Sequence, residues 1–286
     1  MTSSGPSTSS PWRTDAALAW ILRVLAALAC AVVLLILVFL VIESMPALRR
    51  IGPIRLLRDG SWHPLSDLYG MTPMIAASVL VTLGAIVLAT PLGIGSALFC
   101  RYYAPGPIAR AYRRLVELLA GIPSVVYGFW GLVVLVPIVT HSLLAGVVIL
   151  ALMVLPTVAL ISDASLANVP QSYVQGGAAL GLSRWSLVRR VILPAARPGL
   201  LTAVILATAR AIGETMAVLM VCGNVVQMPR SLTDPVRTLT ANIALEMSYA
   251  ADTHRSALFV SGLLLMGIVG VLVVIADRVG GGRMHV

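Results

Sequence analysis

The sequence contains no lysine, because all 20 of its basic residues are arginine. A nucleotide-binding P-loop of the form G-x-x-x-x-G-K-[ST] requires a lysine, and so does Schiff-base catalysis. Both are therefore excluded for this chain. If ATP drives its activity, a different polypeptide must bind the nucleotide.

Charged residues of both signs are also scarce. They make up 11% of the 286 residues, against about 25% in a typical soluble domain, while hydrophobic residues reach 59% and the mean hydropathy is +0.97. This composition excludes a soluble enzyme, a disordered chain and a small disulfide-stapled domain. Aromatic residues are only 6%, and the apolar residues form long runs rather than alternating segments of about ten residues. The sequence predicts an all-α membrane protein.

Metal-ligand and catalytic patterns are missing as well. Cys30, Cys100 and Cys222 lie far apart, and the four histidines form no H-x-x-x-H spacing. The sequence has no H-E-x-x-H and no G-x-S-x-G motif. We therefore predict no metal, no cofactor and no enzymatic activity. The net charge of +9 comes without a basic patch interleaved with aromatic residues, so no nucleic-acid partner is expected.

Six stretches are long and apolar enough to form helices that cross about 30 Å of hydrocarbon, for which about 20 residues are needed. They run approximately over 16–42, 73–100, 115–140, 142–162, 198–222 and 256–276. An even number of spans places both termini on one side of the membrane. The excess of arginines in cytoplasmic segments assigns that side, since twelve then lie inside and seven outside. The first external loop runs against this rule, because it holds Arg49, Arg50, Arg55 and Arg58.

The predicted domain organisation follows from these spans, with both termini cytoplasmic. It comprises a disordered tail (1–14), a first transmembrane helix with an external loop (15–72), a transmembrane core (73–277) that contains the cytoplasmic segment 163–197, and a second tail (278–286). Trp62 and Tyr69 of the first external loop are expected at the membrane interface. The second large external loop, 223–255, is expected to form a lid or a docking surface.

Segment 163–197 is too polar to span a membrane and is expected to form two short helices around a break at Gly181. We predict that Ser183 caps the second helix and that Pro194 ends it, with Pro198 starting the next span. The second helix has an apolar side that includes Trp185 and an arginine-rich side. On this shape alone, a helix that anchors the segment to anionic lipid is an equally good interpretation.

The fifth span contains two opposite charges, Arg210 and Glu214. Charges inside the hydrocarbon are costly and usually functional. If the span is one helix, a spacing of four residues places both side chains on one face. Two interpretations follow. The pair is either an internal salt bridge or an anion site on a translocation path, to which arginine is suited because its planar guanidinium donates two parallel hydrogen bonds and stays charged.

The spacing in segment 163–197 resembles the EAA loop of ABC-importer permeases. Nine residues separate Gly181 from the ending Val191-Ile-Leu193-Pro194, although Gln175 stands where that family has glutamate and Gly176-Gly177 replaces Ala-Ala. In that family the loop is a coupling helix that binds a separate ATPase subunit. The resemblance therefore implies an ATPase contact through Gln175, Gly181, Leu193 and Pro194.

A narrower resemblance covers roughly residues 69–277. The run Arg210-Ala-Ile-Gly-Glu-Thr, followed by Gly223-Asn224, and the run Glu117-Leu-Leu-Ala-Gly-Ile-Pro-Ser are similar to motifs of phosphate ABC-transporter permeases of the PstC type, within the binding-protein-dependent transport inner-membrane components. The resemblance implies a type I ABC importer permease fold in the bacterial cytoplasmic membrane. It implies as partners a sister permease (PstA type), two ATP-binding subunits (PstB type) and an external phosphate-binding protein (PstS type).

The same resemblance implies that phosphate passes Arg210 and Glu214, and we include Thr215 and Ser124 in the predicted pathway. Gly121 and Pro123 are expected to break the third span, so that freed backbone groups line the path; a simple packing kink is the alternative. A permease for another oxyanion, such as sulfate, molybdate or phosphonate, remains open. So does a secondary anion carrier or channel, for which the coupling loop would have no purpose.

Overall fold

The structure is a computed structural model that describes the backbone of residues 11–280 and the side chains of residues 18–278. Within that range the elements are, in chain order, α1 (Pro11–Arg50), α2 (Pro53–Arg58), β1 (Trp62–His63), β2 (Leu68–Tyr69), α3 (Thr72–Leu98), α4 (Gly106–Gly121), α5 (Ser124–Trp130), α6 (Val136–Val139), α7 (Leu143–Ala167), α8 (Gln171–Ala179), α9 (Arg184–Leu187), α10 (Leu193–Ile212), α11 (Met216–Val221), α12 (Leu239–Glu246) and α13 (Asp252–Gly280). The strands β1 and β2 pair antiparallel, with Trp62 opposite Tyr69.

α1 begins inside the predicted tail, whose residues 1–10 lie outside the described residues, as do residues 281–286 of the second tail.

Among the described residues, five helical segments are long and apolar enough to cross a membrane. They are Leu18–Arg50, Thr72–Tyr103, Leu143–Ala167, Arg184–Ile212 and Asp252–Arg278. A bent pair, Gly106–Gly121 with Ser124–Val139, passes the same test when its two halves are taken together. Counted as one span, this pair completes the predicted six.

The third span, predicted over 115–140 with a break near its start, is sharply bent. Its two halves meet at an angle of 94° at Ile122 and Pro123, so the break predicted from Gly121 and Pro123 is present. Ile122 is extended (φ −70°, ψ 129°), which is the conformation that a following proline imposes. α4 begins at Gly106, ahead of the predicted start at 115, with a proline in its first turn, where proline is favoured.

The core lies where α3 and α7 pack against α10 and α11. Small residues allow the close approach. A Cβ placed on Gly84 of α3 would lie 2.7 Å from the side chain of Val147 of α7, and a Cβ on Gly93 would lie 2.7 Å from that of Val158. Such contacts between small residues are the usual way in which helices associate in lipid, where the hydrophobic effect does not drive helix to helix. α1 lies at the edge of this bundle and packs on α13.

The helix after Ser183 continues through Pro194, so the prediction that Pro194 ends it is wrong. Residues Val188–Ile192 form a π-helical turn, in which the N–H of Leu193 bonds to the carbonyl of Val188, five residues earlier. The proline ring would otherwise clash with the carbonyl four residues before it, and the wider turn relieves that conflict. The helix therefore runs from Arg184 to Ile212.

Candidate functional site

The fifth span is interrupted at the predicted charged motif. α10 ends at Ile212 and α11 begins at Met216, with Gly213, Glu214 and Thr215 between them. The N–H of Glu214 still bonds to the carbonyl of Ala211 at 3.1 Å, so the chain leaves the helix in a tight turn. A discontinuous helix of this kind is how transporters bring helix ends to the middle of a membrane. The prediction of one continuous helix with both charges on one face is therefore wrong.

The carboxylate of Glu214 interacts with the N-terminal end of the second half-helix, α11. One carboxylate oxygen, Oε1, accepts the N–H of Ala217 at 3.2 Å, which satisfies a free donor in the first turn of α11. A carboxylate there also interacts favourably with the positive end of the helix dipole. The hydroxyl of Thr240 on α12 donates to the backbone carbonyl of Glu214 at 2.8 Å. The break is thus held by a side chain of its own and by α12.

Arg210 lies in the last turn of α10 and is exposed in the isolated chain. Within residues 18–278 it forms no salt bridge with any acidic side chain, Glu214 included. A cation at the C-terminal end of a helix is stabilised by the free carbonyl groups there. Each charge of the motif is therefore accommodated by its own helix end. The guanidinium is left with its donors available to an anion.

The other two predicted pathway residues are Thr215, which lies within this break, and Ser124, which lies on α5. The hydroxyl of Thr215 donates to the carbonyl of Gly213 at 3.3 Å. Ser124 is half-buried at the first position of α5, and in the described part of the chain no hydrogen bond joins it to the other three residues. α5 nevertheless lies against α11, because a Cβ on Gly128 would come within 2.8 Å of the Cα of Ala217. The two half-helices that carry Ser124 and Thr215 are therefore direct neighbours.

The segment predicted to couple to an ATPase has the expected helix, glycine turn and second helix. Gln175 is exposed on α8, and Gly181 has φ +71°, a conformation that L side chains rarely adopt. Ser183 caps the next helix, as predicted, by accepting the N–H of Ser186 at 3.3 Å. Leu193 is half-buried and Pro194 is exposed in the first turn of α10.

Side chains of this segment divide between the core and the outside. Val188 and Ile192 are buried in a cluster that also contains Leu166 of α7, so this face anchors the segment to the bundle. Trp185 remains 60% exposed and Leu180 81% exposed, although both are large and apolar. Gly177 stands where the EAA motif has alanine. The fold explains this difference, because a Cβ on Gly177 would lie 2.4 Å from Cδ1 of Leu187. An apolar surface is thus left on the side that faces away from the bundle.

A second polar cluster was not predicted from the sequence. Glu246 is buried, and its carboxylate accepts hydrogen bonds from the Arg237 guanidinium at 2.6 Å and from the Trp62 indole at 2.9 Å. The imidazole Nε2 of His254 lies 2.8 Å from the same carboxylate. Trp62 and Tyr69 are both 5% exposed, so their rings are buried inside the protein and do not face a membrane surface. No spacing in the sequence signals this cluster, since Trp62 and Glu246 are far apart along the chain.

Comparison with known proteins places this architecture among transport components. The profile of the family described as binding-protein-dependent transport system inner membrane component matches residues 89–285. A probable ABC transporter permease protein, YqgH, of Bacillus subtilis is 40% identical over 257 residues, which is 83% of each chain. The phosphate transport system permease protein PstC of Mesorhizobium japonicum is 36% identical over 248 residues, 77% of this chain and 76% of that protein.

Solved structures of ABC importers have the same fold at low sequence identity. The chain is similar to one in the inward-facing methionine transporter MetNI, with a TM-score of 0.59 and 21% identity over 77% of this chain and 98% of the other. It is also similar to one in a bacterial importer of the polysaccharide alginate, with a TM-score of 0.64 and 12% identity over 96% of this chain and all of the other. At these identities the likeness concerns the fold alone, which is that of type I ABC importer permeases.

Proposed function

This chain belongs to the family of binding-protein-dependent transport system inner membrane components, and from that premise we propose that it is the permease subunit through which an ATP-driven importer moves inorganic phosphate. Family membership makes it a multi-pass protein of the bacterial inner membrane and a transport component rather than an enzyme. It also implies partners that bind ATP and partners that bind substrate. The choice of phosphate is the proposed step, and it draws support from the PstC relatives.

The observation that carries the proposal is that Arg210 forms no salt bridge within residues 18–278. A membrane-embedded arginine that neutralised Glu214 would have little attraction left for an anion, but Glu214 is engaged by the Ala217 N–H at 3.2 Å. Arg210 therefore keeps a full charge and the donors of its guanidinium, which match two oxygens of a tetrahedral oxyanion. Thr215 and Ser124, on the neighbouring half-helices, are the proposed secondary contacts along the path.

Transport then follows from alternating access. In the proposed orientation both termini are cytoplasmic, and the segment 163–197 lies on the cytoplasmic side. ATP binding closes a dimer of PstB-type subunits, whose groove takes the exposed side of α8 and α9 with Gln175 and Trp185. Because α10 continues from that segment without interruption to Ile212, a movement of the coupling segment is transmitted along one helix to Arg210. A PstS-type protein delivers phosphate outside, and a PstA-type sister permease completes the pathway.

Uptake measurements on the reconstituted importer test the anion site. We expect Arg210→Ala to reduce ATP-dependent phosphate uptake by about a hundredfold or more, since two charge-assisted hydrogen bonds are lost. Arg210→Lys, which keeps the charge but not the planar pair of donors, should recover only part of the rate. Arg230→Ala, at an exposed arginine of the second external loop, is the matched control and should transport normally. Phosphate uptake at the wild-type rate in both Arg210 variants would refute the site.

Two further measurements separate the alternatives. Competition by sulfate, molybdate or phosphonate against labelled phosphate distinguishes the oxyanions, because an arginine recognises charge and oxygen geometry rather than the central atom. A secondary carrier or channel would move its solute without nucleotide and without an ATPase subunit. Uptake that persists after the ATPase is removed would therefore contradict the proposed coupling through segment 163–197.

A further inference from the structure

The backbone carbonyl of Glu214 is held by a side chain from a distant segment. This carbonyl lies between α10 and α11, and in the described part of the chain no backbone N–H donates to it. Its donor is the hydroxyl of Thr240, a residue that is 8% exposed, at a distance of 2.8 Å. A half-buried carbonyl without a partner would be costly in a membrane protein. The bond from Thr240 therefore compensates for the interruption of the helix.

The available protons give this bond a defined direction. The hydroxyl oxygens of Thr238 and Thr240 lie 3.2 Å apart. A hydroxyl has one proton to donate, and the proton of Thr240 goes to Glu214. Thr238 is therefore the donor between the two threonines, while its own oxygen accepts the N–H of Ala241 at 3.3 Å as the cap of α12. A chain of hydrogen bonds thus leads from the first turn of α12 to the break in the fifth span.

The helix that supplies this hydroxyl is anchored at both of its ends. At its start, the N–H of Leu239 donates to the hydroxyl oxygen of Ser78 on α3 at 2.9 Å, and both residues are buried. At its end, the carboxylate of Glu246 accepts hydrogen bonds from Arg237 at 2.6 Å and from Trp62 at 2.9 Å. α12 is therefore tied to α3 and to a buried polar network, and it reaches the break from a fixed position.

The held carbonyl lies next to the guanidinium that we propose as the anion site. Three residues separate Glu214 from Arg210, and the N–H of Glu214 bonds to the carbonyl of Ala211, in the last turn of α10, at 3.1 Å. The Glu214 carboxylate also accepts the N–H of Ala217 in the first turn of α11. One residue is thereby joined to the end of α10, to the start of α11 and to α12, so its position affects both half-helices.

We propose that Thr240 is a positioning residue for the anion site, an inference that rests on the proposed function. Its hydroxyl holds the turn 213–215 in the geometry that places Arg210 and Thr215 on the translocation path. Thr240 does not bind the anion itself but acts through the backbone of Glu214. Through this one bond, the segment 223–255, which contains α12, sets the geometry of the fifth span.

Two substitutions at Thr240 and a matched control test this role in the reconstituted importer. Thr240→Val removes the hydroxyl at nearly the same volume, and Thr240→Ser keeps it. We expect Thr240→Val to reduce ATP-dependent phosphate uptake by about fivefold, the effect of one lost hydrogen bond, while ATP hydrolysis by the complex continues at the wild-type rate. Thr240→Ser should recover the uptake. Thr202→Val is the control, because the Thr202 hydroxyl bonds to the carbonyl of Pro198 inside α10 at 3.0 Å.

Hydrogen exchange gives a second measurement that needs no substrate. Mass spectrometry of the assembled importer in detergent follows the backbone amides of residues 211–219. Exchange there should be about fivefold faster in Thr240→Val than in the wild type, and unchanged in Thr240→Ser and Thr202→Val. Peptides of α3 around Ser78 should exchange at the wild-type rate in every variant, because α12 stays docked.

Several results would overturn the role of Thr240. They are wild-type exchange at 211–219 or wild-type uptake in Thr240→Val, an equal loss of uptake and of ATP hydrolysis in that variant, and faster exchange around Ser78. A loss in Thr240→Ser as large as that in Thr240→Val would do the same. Absence of phosphate uptake by the wild-type importer would instead refute the proposed function, and the exchange rates at 211–219 would still decide whether Thr240 holds the break.

Discussion

Two arginine–glutamate pairs lie in the second half of the chain, and they differ in whether the charges meet. Arg237 and Glu246 are 2.6 Å apart, with side chains that are 19% and 8% exposed. Arg210 and Glu214 are closer in sequence, yet no salt bridge joins them. The first pair connects the segment 223–255 to Trp62, because Glu246 also accepts the Trp62 indole N–H. The second is divided between two helix ends, which leaves one charge available for a substrate.

The difference lies in how each charge is stabilised. Glu246 has partners on several elements, since the Trp62 indole donates to it at 2.9 Å and the His254 imidazole lies 2.8 Å away. Arg237 also donates to the Asn242 side chain at 3.0 Å. In contrast, Glu214 bonds to a backbone N–H of its own segment. Disrupting a buried polar network of the first kind costs more than losing a local cap, which typically costs about 1 kcal/mol.

The largest effect should come from Glu246. Replacing it by glutamine leaves Arg237 buried without its counter-charge, so we expect the free energy of unfolding to fall by about 3 kcal/mol or more. Thermal or SDS-induced unfolding in detergent measures this loss. Glu43→Gln is the matched control, because Glu43 pairs with Arg255 at 3.6 Å with side chains that are 33% and 50% exposed. That variant should cost under about 1 kcal/mol; equal losses in the two variants would show that Glu246 is not structurally special.

A double-mutant cycle compares the two pairs directly. For Arg237→Gln and Glu246→Gln we expect a coupling energy of about 2 kcal/mol, because the two side chains share a buried hydrogen bond. For Arg210→Gln and Glu214→Gln the coupling in stability should stay below about 0.5 kcal/mol, since the side chains do not pair. The measurement is unfolding of the four single and two double variants. A large coupling in the second cycle would mean that Arg210 and Glu214 form a salt bridge after all.

Packing, rather than ion pairing, holds the interrupted span in place. A Cβ on Gly128 of α5 would lie 2.8 Å from the Cα of Ala217 and 2.9 Å from Sδ of Met220, so Gly128→Ala should lower stability by about 1–2 kcal/mol. Gly95→Ala is the control, because a Cβ there meets nothing within 4 Å. In the interior of α3 that change should be neutral or stabilising by up to about 1 kcal/mol. Unfolding in detergent compares the two; no loss in Gly128→Ala would disprove the close approach of α5 and α11.

The smallest expected effect concerns how stability falls at high pH when Tyr69, a neighbour of Trp62 and His254, is replaced. Burial, with a contribution from Asp67, raises the pKa of the Tyr69 phenol above its usual value. The folded state therefore keeps this proton while the unfolded chain loses it, so stability is lost as the pH rises above about 10 through the folded pKa. Tyr69→Phe should make the fall of the thermal midpoint between pH 9 and 11 shallower. Tyr249→Phe, at a tyrosine that is 67% exposed, should leave it unchanged.

Much of the site was predictable one residue at a time. Ser183 was identified as a cap because serine before a helical run satisfies a free N–H, and Gly181 as a break because glycine adopts a positive φ. Pro194 was misjudged, since a proline ends an ordinary helix but not one that widens into a π-turn before it. The break in the helix at Gly213 is not predicted from the sequence for a related reason. The residues around it are apolar enough to continue a span, and a hydropathy pattern carries no information about a turn.

The sequence by itself indicated the six apolar spans and the break at Pro123, and it contains no lysine for a P-loop. These properties depend on transfer of apolar side chains into lipid and on the chemistry of single residues, which are local and additive. Only the tertiary structure decided that Arg210 forms no salt bridge with Glu214 and that the buried Trp62 indole donates to Glu246. Such relations depend on which distant segments become neighbours, because the partner of a charge in a membrane is set by packing and not by its place in the chain.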